Sequence, residues 1–321
     1  MPELRDDERE FGQAVVAAAA ELNVPESVVE KDYWITQILR ALRTEYFGQF
    51  VMKGGTSLSK GYGLIQRFSE DVDILLVPQS GGADSKRVDE LMSAIERSVG
   101  SVTGMGTRRE QAEEGIAIVT VAPYPNVSTI DTATFAREVR IDHGVPGGPF
   151  PSESREVRTL LGDGLSARGV DTGEYADLGA FNVQMLHPSR TLVEKLCVVS
   201  SIGRRIAAGN DNVRSREARH FYDIWCLLDE TESPALEYLR TKDSVGDIFN
   251  DCVQIREHFY GVVPERPAEG FAACEVFSDA TVLGKIRRSY DRMCRELVFP
   301  GSSCPSLDEV AERVRSYAVD L

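Results

Sequence analysis

The residues best suited to catalysis lie in one stretch, Lys53 to Pro78, which reads KGGTSLSKGYGLIQRFSEDVDILLVP. It contains a glycine pair, Gly54 and Gly55, and about fifteen residues later two acids, Asp71 and Asp73. Side chains alternate in direction along a strand, so Asp71 and Asp73 are expected to share one face, with Cα atoms about 6.5 to 7 Å apart. Two carboxylates on one face of a strand can bind hard divalent cations.

A third acid would complete a two-metal site, in which two Mg²⁺ ions roughly 3.5 to 4 Å apart activate a hydroxyl and stabilise a leaving pyrophosphate. In the predicted strand EVRID, Glu138, Arg140 and Asp142 share one face. We expect Asp142, at the end of this strand, to be the third metal ligand. The alternative is that Asp142 is only an exposed acid beside a glycine-rich loop.

The glycine pair suits a polyphosphate, because a strand, a tight turn and a helix start offer backbone N–H groups and a positive dipole end to phosphate oxygens. Thr56 can add a hydroxyl, and Lys60 or Arg67 can add a positive charge. We therefore predict that a nucleoside triphosphate (NTP) binds between the glycine turn and the metal-binding strand. A bare Asp-x-Asp is also common on the solvated face of a strand. These residues alone therefore indicate metal-dependent phosphoryl chemistry and no specific reaction.

The elements around this stretch are predicted from periodicity. Apolar residues recur every three or four positions from Glu8 to Leu22 and from Pro25 to Arg43, which predicts two helices before the glycine turn. Shorter helices are predicted in SLSKGYGLIQ and from Lys86 to Val99. Segments rich in β-forming residues are predicted as strands at Phe50–Lys53, Asp71–Val77, Gly115–Pro125 and Thr134–Asp142. Loops are predicted at Gln79–Ser85 and His143–Pro151, and a polar stretch at Leu161–Tyr175 is expected to be an addition to the α/β unit.

The last part of the chain has a different character. From Ser189 onward the pattern is almost entirely helical. A chain of 321 residues, 42% of them hydrophobic, can form two cores. We therefore predict an α+β protein with an α/β domain at residues 1–187 and a helical bundle at residues 188–321.

Composition limits the location and chemistry of the protein. No run approaches the roughly 18 apolar residues of a membrane span, and the N-terminal sequence MPELRDDERE is acidic, unlike a signal peptide. We therefore expect a cytoplasmic protein without membrane contact. The six cysteines form no CxxC pair, so reduced thiols are expected rather than disulfides or a zinc site.

The net charge of −15 argues against binding nucleic acid through overall charge, so an RNA contact would need a local basic patch. Five arginines fall within sixteen residues that contain only two acids: Arg204, Arg205, Arg214, Arg216 and Arg219. On one surface they could bind an RNA backbone. The alternative is a solvated basic face whose charges are paired within the protein.

The glycine turn, short helix and Asp-x-Asp strand together resemble the polymerase-β-like nucleotidyltransferase superfamily. More closely, the sequence resembles the AbiEii family of nucleotidyltransferase toxins from type IV toxin–antitoxin systems, which includes the mycobacterial MenT toxins. Four segments match in the family's order: Val28–Leu39, Val51–Ile74, Arg190–Leu196 and Ala218–Trp225. The fifteen residues between Gly55 and Asp71 slightly exceed the usual superfamily spacing. The closer family's Arg-x-Ser-x-Asp-x-Asp pattern is matched by Arg67, Ser69, Asp71 and Asp73.

This resemblance implies that the first domain is a polymerase-β-like nucleotidyltransferase domain, with a mixed sheet and flanking helices. Asp71 and Asp73 would then be metal ligands. Ser69 would be a phosphate-contacting or modifiable hydroxyl beside them, unless it merely caps the start of the strand.

The resemblance also assigns two residues of the helical domain. Lys195 would contact the triphosphate as a compact point charge, and Asp223 would support the site. Alternatively, Lys195 is solvated, and Asp223 forms an ordinary helical ion pair with Arg219, four residues earlier.

The implied reaction is Mg²⁺-dependent transfer of a nucleoside monophosphate (NMP) from an NTP to the 3′ end of tRNA, with a cognate antitoxin as protein partner. Two other interpretations fit the same residues. The nucleotide could be transferred to a protein or a small molecule, or the pocket could bind a nucleotide without catalysis and regulate a partner.

Overall fold

The computed structural model describes residues 1–69, 71–77, 85–128, 136–242, 244–261 and 263–321. The chain forms two compact units. The first contains Met1–Tyr62, Phe68–Val145 and Ser152–Met185, and the second contains Gly63–Arg67, Pro146–Pro151 and Leu186–Leu321. The domain boundary predicted after residue 187 lies close to the point where the chain passes from the first unit, which ends at Met185, to the second. The two short early segments of the second unit were not predicted.

The first unit is built on a mixed seven-stranded sheet in the order β3-β4-β5-β2-β1-β7-β6. Its strands are β1 (Phe50–Lys53), β2 (Asp71–Leu76), β3 (Arg108–Glu113), β4 (Ala117–Pro123), β5 (Glu138–Gly144), β6 (Ser152–Val157) and β7 (Phe181–Leu186). Strand β2 runs antiparallel to β1 and parallel to β5. Strand β1 also pairs in parallel with β7. The strand that carries the acidic pair is therefore an interior strand of the sheet.

Among the described residues, five α-helices belong to the first unit: α1 (Glu8–Leu22), α2 (Glu26–Glu45), α3 (Gly54–Lys60), α4 (Ser85–Thr103) and α5 (Leu160–Ala167). Helix α1 packs against α2 and α5, while α2 packs against α4. Helix α2 is buried along most of its length, including the charged residues Glu30, Lys31 and Asp32. Buried charges are costly unless they are paired, so these three residues are expected to hold other parts of the unit in place.

The second unit is helical. Its α-helices within the described residues are α6 (Pro188–Ala207), α7 (Ser215–Leu227), α8 (Ala235–Lys242), α9 (Val245–Tyr260), α10 (Glu275–Ser278), α11 (Ala280–Leu297) and α12 (Leu307–Ser316). Helix α7 packs against α6, α11 and α12. The early segment Gly63–Arg67 is part of this unit through an isolated bridge between Arg67 and Val298. The predicted α+β class, with a mixed sheet followed by a helical bundle, is confirmed.

Three strands of the sheet, β3, β6 and β7, were not predicted from the sequence. Two of them, β3 and β6, are the edge strands of the sheet. Strands β3 and β6 read RREQAE and SESREV and lie at opposite ends of the strand order. Edge strands commonly carry charged residues, which oppose pairing with other chains, so they lack the apolar alternation of a half-buried strand. The third, β7, alternates buried Val183 and Met185 with exposed Asn182 and Gln184. This alternation of apolar and polar residues along FNVQML is the sequence pattern of a strand.

Several other predictions were wrong in detail. The segment Leu161–Tyr175, described from the sequence only as a polar stretch, contains most of α5, whose N-cap Thr159 accepts a hydrogen bond from the Gly162 amide. The helix predicted in SLSKGYGLIQ begins earlier, at Gly54, and ends at Lys60. The fourth predicted strand begins at Glu138, and its first residues, together with most of the predicted loop Gln79–Ser85, lie outside the described residues.

The expectation of reduced cysteines holds for four of the six and is wrong for one pair. Cys294 and Cys304, at the end of α11 and in the segment after it, form a disulfide. Cys197, Cys226, Cys252 and Cys274 are free. Within the described ranges, every helix is too short or too polar to span a lipid bilayer.

Candidate active site

Three adjacent strands place a lysine and two acids in one row. Lys53 at the end of β1 lies opposite Asp73 on β2, and Asp73 lies opposite Asp142 on β5. Residues in direct cross-strand register point to the same face, with Cβ atoms about 4.5 to 5.5 Å apart in antiparallel pairs. Asp71 shares this face because it lies two residues before Asp73. The neighbouring residues Val72 and Ile74 are buried on the other side.

The glycine turn is in contact with the acidic strand. Gly54 has a φ of +72°, and a Cβ built on it would lie 2.8 Å from Cγ of Asp73. Real Cβ atoms essentially never approach another atom so closely. Only glycine satisfies both the left-handed backbone and the contact with the Asp73 carboxylate. The two motifs, separated by fifteen residues in the sequence, are therefore one structural feature.

Helix α3 is tied to β2 by side chains of its first turn. The Thr56 hydroxyl, which is fully buried, donates a hydrogen bond to the backbone carbonyl of Asp71. The Ser57 hydroxyl donates to the carbonyl of Gly54 at 2.9 Å. The predicted contact of Thr56 with nucleotide stays a prediction. In the structure its hydroxyl joins the glycine turn to the first residue of the acidic strand.

Lys60, predicted to bind phosphate, forms a buried ion pair behind the glycine turn. Its Nζ lies 2.5 Å from Oδ1 of Asp32 on α2, and the side chains are only 7% and 8% exposed. The other oxygen of Asp32 accepts a hydrogen bond of 2.7 Å from the Leu160 amide at the start of α5. Asp32 thus links α2, the end of α3 and the start of α5. The assignment of Lys60 to phosphate stays a prediction, and its observed partner is a carboxylate.

The acids of the site sit in a mixed electrostatic environment. Although Asp142 is exposed to solvent at one side, desolvation by the surrounding protein raises its pKa above the ordinary value, and Asp71 acts in the same direction. Lys53 and Arg140 oppose this shift. Arg140 Nε is 4.0 Å from Oδ1 of Asp71, and its guanidinium also pairs with Glu110. The negative charge of Asp71 and Asp142 is thus partly balanced by the positive charges of Lys53 and Arg140.

The residue types and register fit a divalent cation. Asp71, Asp73 and Asp142 supply hard oxygen ligands from one face of two neighbouring strands, as Mg²⁺ prefers. They do not form a closed cage. Among the residues that the structure describes, no group of three or more His, Cys, Asp or Glu side chains is already arranged around a metal position. A cation would therefore be held by the carboxylates together with substrate oxygens, as is common for Mg²⁺ in phosphoryl-transfer sites.

Ser69 lies in the first unit, two residues before Asp71, and is buried. Gly55 is likewise buried, in the first turn of α3. The roles predicted for these two residues at the nucleotide stay predictions.

Three predicted site residues meet in the second unit. The guanidinium of Arg67 binds Asp223 on α7 through two hydrogen bonds, Nε to Oδ1 at 2.6 Å and Nη2 to Oδ2 at 2.8 Å. Lys195 on α6 donates to Oδ2 of Asp223, also at 2.6 Å. All three side chains are at least nine-tenths buried. Asp223 therefore binds Arg67 and Lys195 simultaneously.

Burial and pairing compete in this trio. Desolvation alone would raise the pKa of Asp223, yet Arg67 and Lys195 together hold it well below the ordinary value. Desolvation lowers the pKa of Lys195, and Asp223 opposes that shift. His220, whose Nδ1 is 3.5 Å from Lys195 Nζ, has its pKa lowered well below the ordinary value, mainly by burial. The predicted roles of Lys195 and Asp223 toward the nucleotide stay predictions.

The five arginines of the predicted basic patch lie at the end of α6, the start of α7 and the segment before it. Arg204 pairs with Glu265, and Arg205 pairs with Glu217 at 3.0 Å. Arg214 and Arg216 are exposed, and Arg219 is half-buried. Two of the five charges are therefore already matched by acids, while two others face solvent.

A comparison with protein-family models decides the classification. The model described as "Nucleotidyl transferase AbiEii toxin, Type IV TA system" matches residues 37–313, which is most of the chain. The chain belongs to the AbiEii family. It is therefore a nucleotidyltransferase of the toxin class of type IV toxin–antitoxin systems, as the sequence resemblance implied. Helix α2, with its buried charges, begins before the matched range.

Among solved structures, the AbiEii-family chain is similar to MenT4, a nucleotidyltransferase toxin from Mycobacterium tuberculosis H37Rv. The two are 16% identical, the comparison covers 95% of this chain and 97% of MenT4, and the TM-score is 0.41. Among curated proteins, no match to this chain is found.

Two residues that bear on the AbiEii-family site were not assigned by the sequence analysis. Lys53 was seen only as the residue before the glycine pair, and the signal that could have found it is its place at the end of a strand facing Asp73. Asp32 lies in the matched segment Val28–Leu39, where the sequence offered it only a place on the helix surface or behind the glycine turn, and its partners Lys60 and Leu160 are 28 and 128 residues away. No local pattern reveals contacts at such separations.

Proposed function

We propose that this AbiEii-family protein is a divalent-metal-dependent nucleotidyltransferase that transfers NMP from an NTP to the 3′ hydroxyl of an RNA, with tRNA as the acceptor. The observation that carries the proposal is the contact between Gly54 and Asp73 beside the register of Asp73 with Asp142. It supports one site in which a glycine turn and acids from two strands act on the same substrate.

In this reaction the acceptor 3′ oxygen forms a bond to the α-phosphorus, and the bond from that phosphorus to the pyrophosphate oxygen breaks. The hydroxyl proton leaves to a carboxylate of the site or to water. Mg²⁺ bound by Asp71, Asp73 and Asp142 would supply charge stabilisation at the phosphoryl oxygens. The chain itself fixes the carboxylates in place, because Asp73 packs on Gly54 and the backbone of Asp71 is held by Thr56.

An RNA acceptor is supported by Arg214 and Arg216, which are exposed in an otherwise acidic protein. Phosphate contacts by arginine provide affinity for RNA without reading its sequence. We further propose that the protein acts in the cytoplasm, where tRNA is available, and that a cognate antitoxin limits its activity, as the family's classification in type IV systems suggests.

The direct test is to incubate the protein with each of the four α-labelled NTPs, Mg²⁺ and total tRNA. We expect labelled tRNA with at least one nucleotide and no label after chelation of the metal. Asp71→Asn and Asp73→Asn should each abolish labelling, because the two carboxylates that remain in either variant cannot hold both metal ions. Full labelling by both variants would contradict the proposed site.

The same assay separates the other hypotheses. Label that appears in protein or in a small molecule, and never in RNA, would select transfer to those acceptors. NTP binding without label in any fraction, with growth inhibition retained by both variants, would select a non-catalytic nucleotide-binding regulator.

A further inference from the structure

Lys53 lies in the candidate active site, and none of the predicted roles at that site was given to it. It is the last residue of β1, partly exposed, and lies in register with Asp73. Among the described residues, no hydrogen-bond or ion-pair partner of its ammonium is found. The ammonium group of such a lysine, at the end of an interior strand and beside a row of acids, is not held by one partner and can reorient toward a ligand.

Lys60 differs from Lys53 in each of these respects. Its ammonium is buried and held by Asp32, and Asp32 is itself fixed by the Leu160 amide. Releasing Lys60 to a substrate would leave the Asp32 carboxylate buried without its counter-charge, which is costly. Lys60, which was predicted from the sequence as a phosphate ligand, therefore stabilises the packing of α2, α3 and α5 through its ion pair with Asp32.

The charge of Lys53 already reaches the acidic row. It lies opposite Asp73 and acts electrostatically on Asp142. An NTP bound through metal ions at those carboxylates would bring its phosphates to the same face of the sheet. The lysine side chain is a flexible stem with a compact charge, so Lys53 could move from the carboxylates to phosphate oxygens as the substrate arrives.

We propose that Lys53, and not Lys60, is the cation of the glycine turn that binds the triphosphate of the substrate. This inference rests on the proposed function, since it assumes that an NTP binds beside the row of Lys53, Asp73 and Asp142 on strands β1, β2 and β5. It assigns Lys53 to direct phosphate contact and Lys60 to holding α3 in place.

The test measures binding of inorganic tripolyphosphate in the presence of Mg²⁺ by isothermal titration calorimetry. This probe carries no base, so the unknown base preference of the enzyme does not affect the result. The variants are Lys53→Met, which removes the charge, and Lys53→Arg, which keeps it. Lys285→Met changes the net charge equally and removes an exposed lysine that pairs with Asp211.

We expect Lys53→Met to weaken tripolyphosphate binding roughly tenfold to a hundredfold, as for loss of one hydrogen bond to a charged group. Lys53→Arg should retain most of the affinity, and Lys285→Met should bind as the wild type does. The thermal unfolding profile of Lys53→Met should match that of the wild type, which would confirm that the variant is folded.

Wild-type affinity in a folded Lys53→Met would overturn the inference while leaving the proposed function intact. A loss in Lys53→Met that Lys53→Arg does not relieve would also overturn it, because the positive charge would then not be what matters. A wild-type protein that binds neither tripolyphosphate nor any of the four NTPs would overturn the proposed function itself.

Discussion

The α-carbon of Gly54 lies against the carboxylate of Asp73, leaving no room for a side chain at residue 54. This contact, together with the hydrogen bond from Thr56 to the Asp71 carbonyl, joins the glycine turn to the acidic strand. It means that the turn helps to fix the orientation of an acid that the proposed reaction depends on.

We therefore expect Gly54→Ala to reduce nucleotidyl transfer about a hundredfold, because the new methyl group must displace Asp73, and misplacement of a catalytic group by about 1 Å costs this much. The measurement is the initial rate of tRNA labelling. Gly106→Ala is the matched control, since Gly106 has a φ of +73° and no atom near its Cβ position. It should lose about 1 to 2 kcal/mol of stability and no activity. Equal activity losses in both variants would show that backbone strain alone is responsible.

The buried pair of Asp32 and Lys60 predicts strong energetic coupling. Lys60→Met should destabilise the first unit by about 3 to 5 kcal/mol, because it leaves a buried carboxylate without its partner. Combining it with Asp32→Asn should cost clearly less than the sum of the two single changes. Urea unfolding followed by Trp34 fluorescence in a Trp225→Phe background reports on this unit, because Trp34 lies in α2.

The control for this cycle is the exposed pair of Arg158 and Glu156, whose side chains are both more than half exposed. Such pairs contribute little to stability, so its two changes should be nearly additive. If the free-energy changes of the Asp32 and Lys60 variants are also additive, the pair does not stabilise the packing of α2, α3 and α5.

The trio in the second unit predicts an order of stabilities. Asp223→Asn should be the most destabilising change, at about 3 to 5 kcal/mol, because it leaves Arg67 and Lys195 buried side by side without a counter-charge. Lys195→Met should cost less, since Asp223 keeps its two hydrogen bonds to Arg67. Trp225, on the same helix as Asp223, reports urea unfolding of this unit in a Trp34→Phe background. The reverse order would mean that Lys195 is the principal partner.

His220 predicts a pH dependence of stability. Its folded-state pKa is lowered well below 6.5, mainly by burial and then by Lys195, with Arg219 and Arg67 acting in the same direction and Asp223 opposing. Below pH 6.5 the unfolded chain therefore binds a proton that the folded protein excludes. Stability should fall as pH drops through this value, by up to about 1.4 kcal/mol per pH unit from this group.

His220→Gln should flatten this fall, measured as the change in the urea midpoint between about pH 7.5 and about pH 5. His258→Gln, at an exposed position of the same unit, should leave the profile as in the wild type. An unchanged profile in His220→Gln would assign the loss of stability to other groups, such as the carboxylates.

Much of the site was predictable because it depends on local periodicity. Alternation along a strand placed Asp71 and Asp73 on one face, and the same rule placed Asp142 on the face it shares with Arg140. Fold class followed from the change from mixed to helical patterns near residue 187. The polar edge strands β3 and β6 escaped detection because edge strands need no apolar face against neighbours on both sides.

The partners of the charged residues could not be predicted in this way. The sequence determined by itself which residues can carry a charge, where strands and helices alternate, and that a glycine pair precedes an acidic strand. Only the tertiary structure decided that Lys60 binds Asp32, that Arg67 and Lys195 share Asp223, and that Lys53 faces Asp73. Such pairs join residues far apart in the chain, and burial in the folded protein, which removes competing water, selects them over local alternatives.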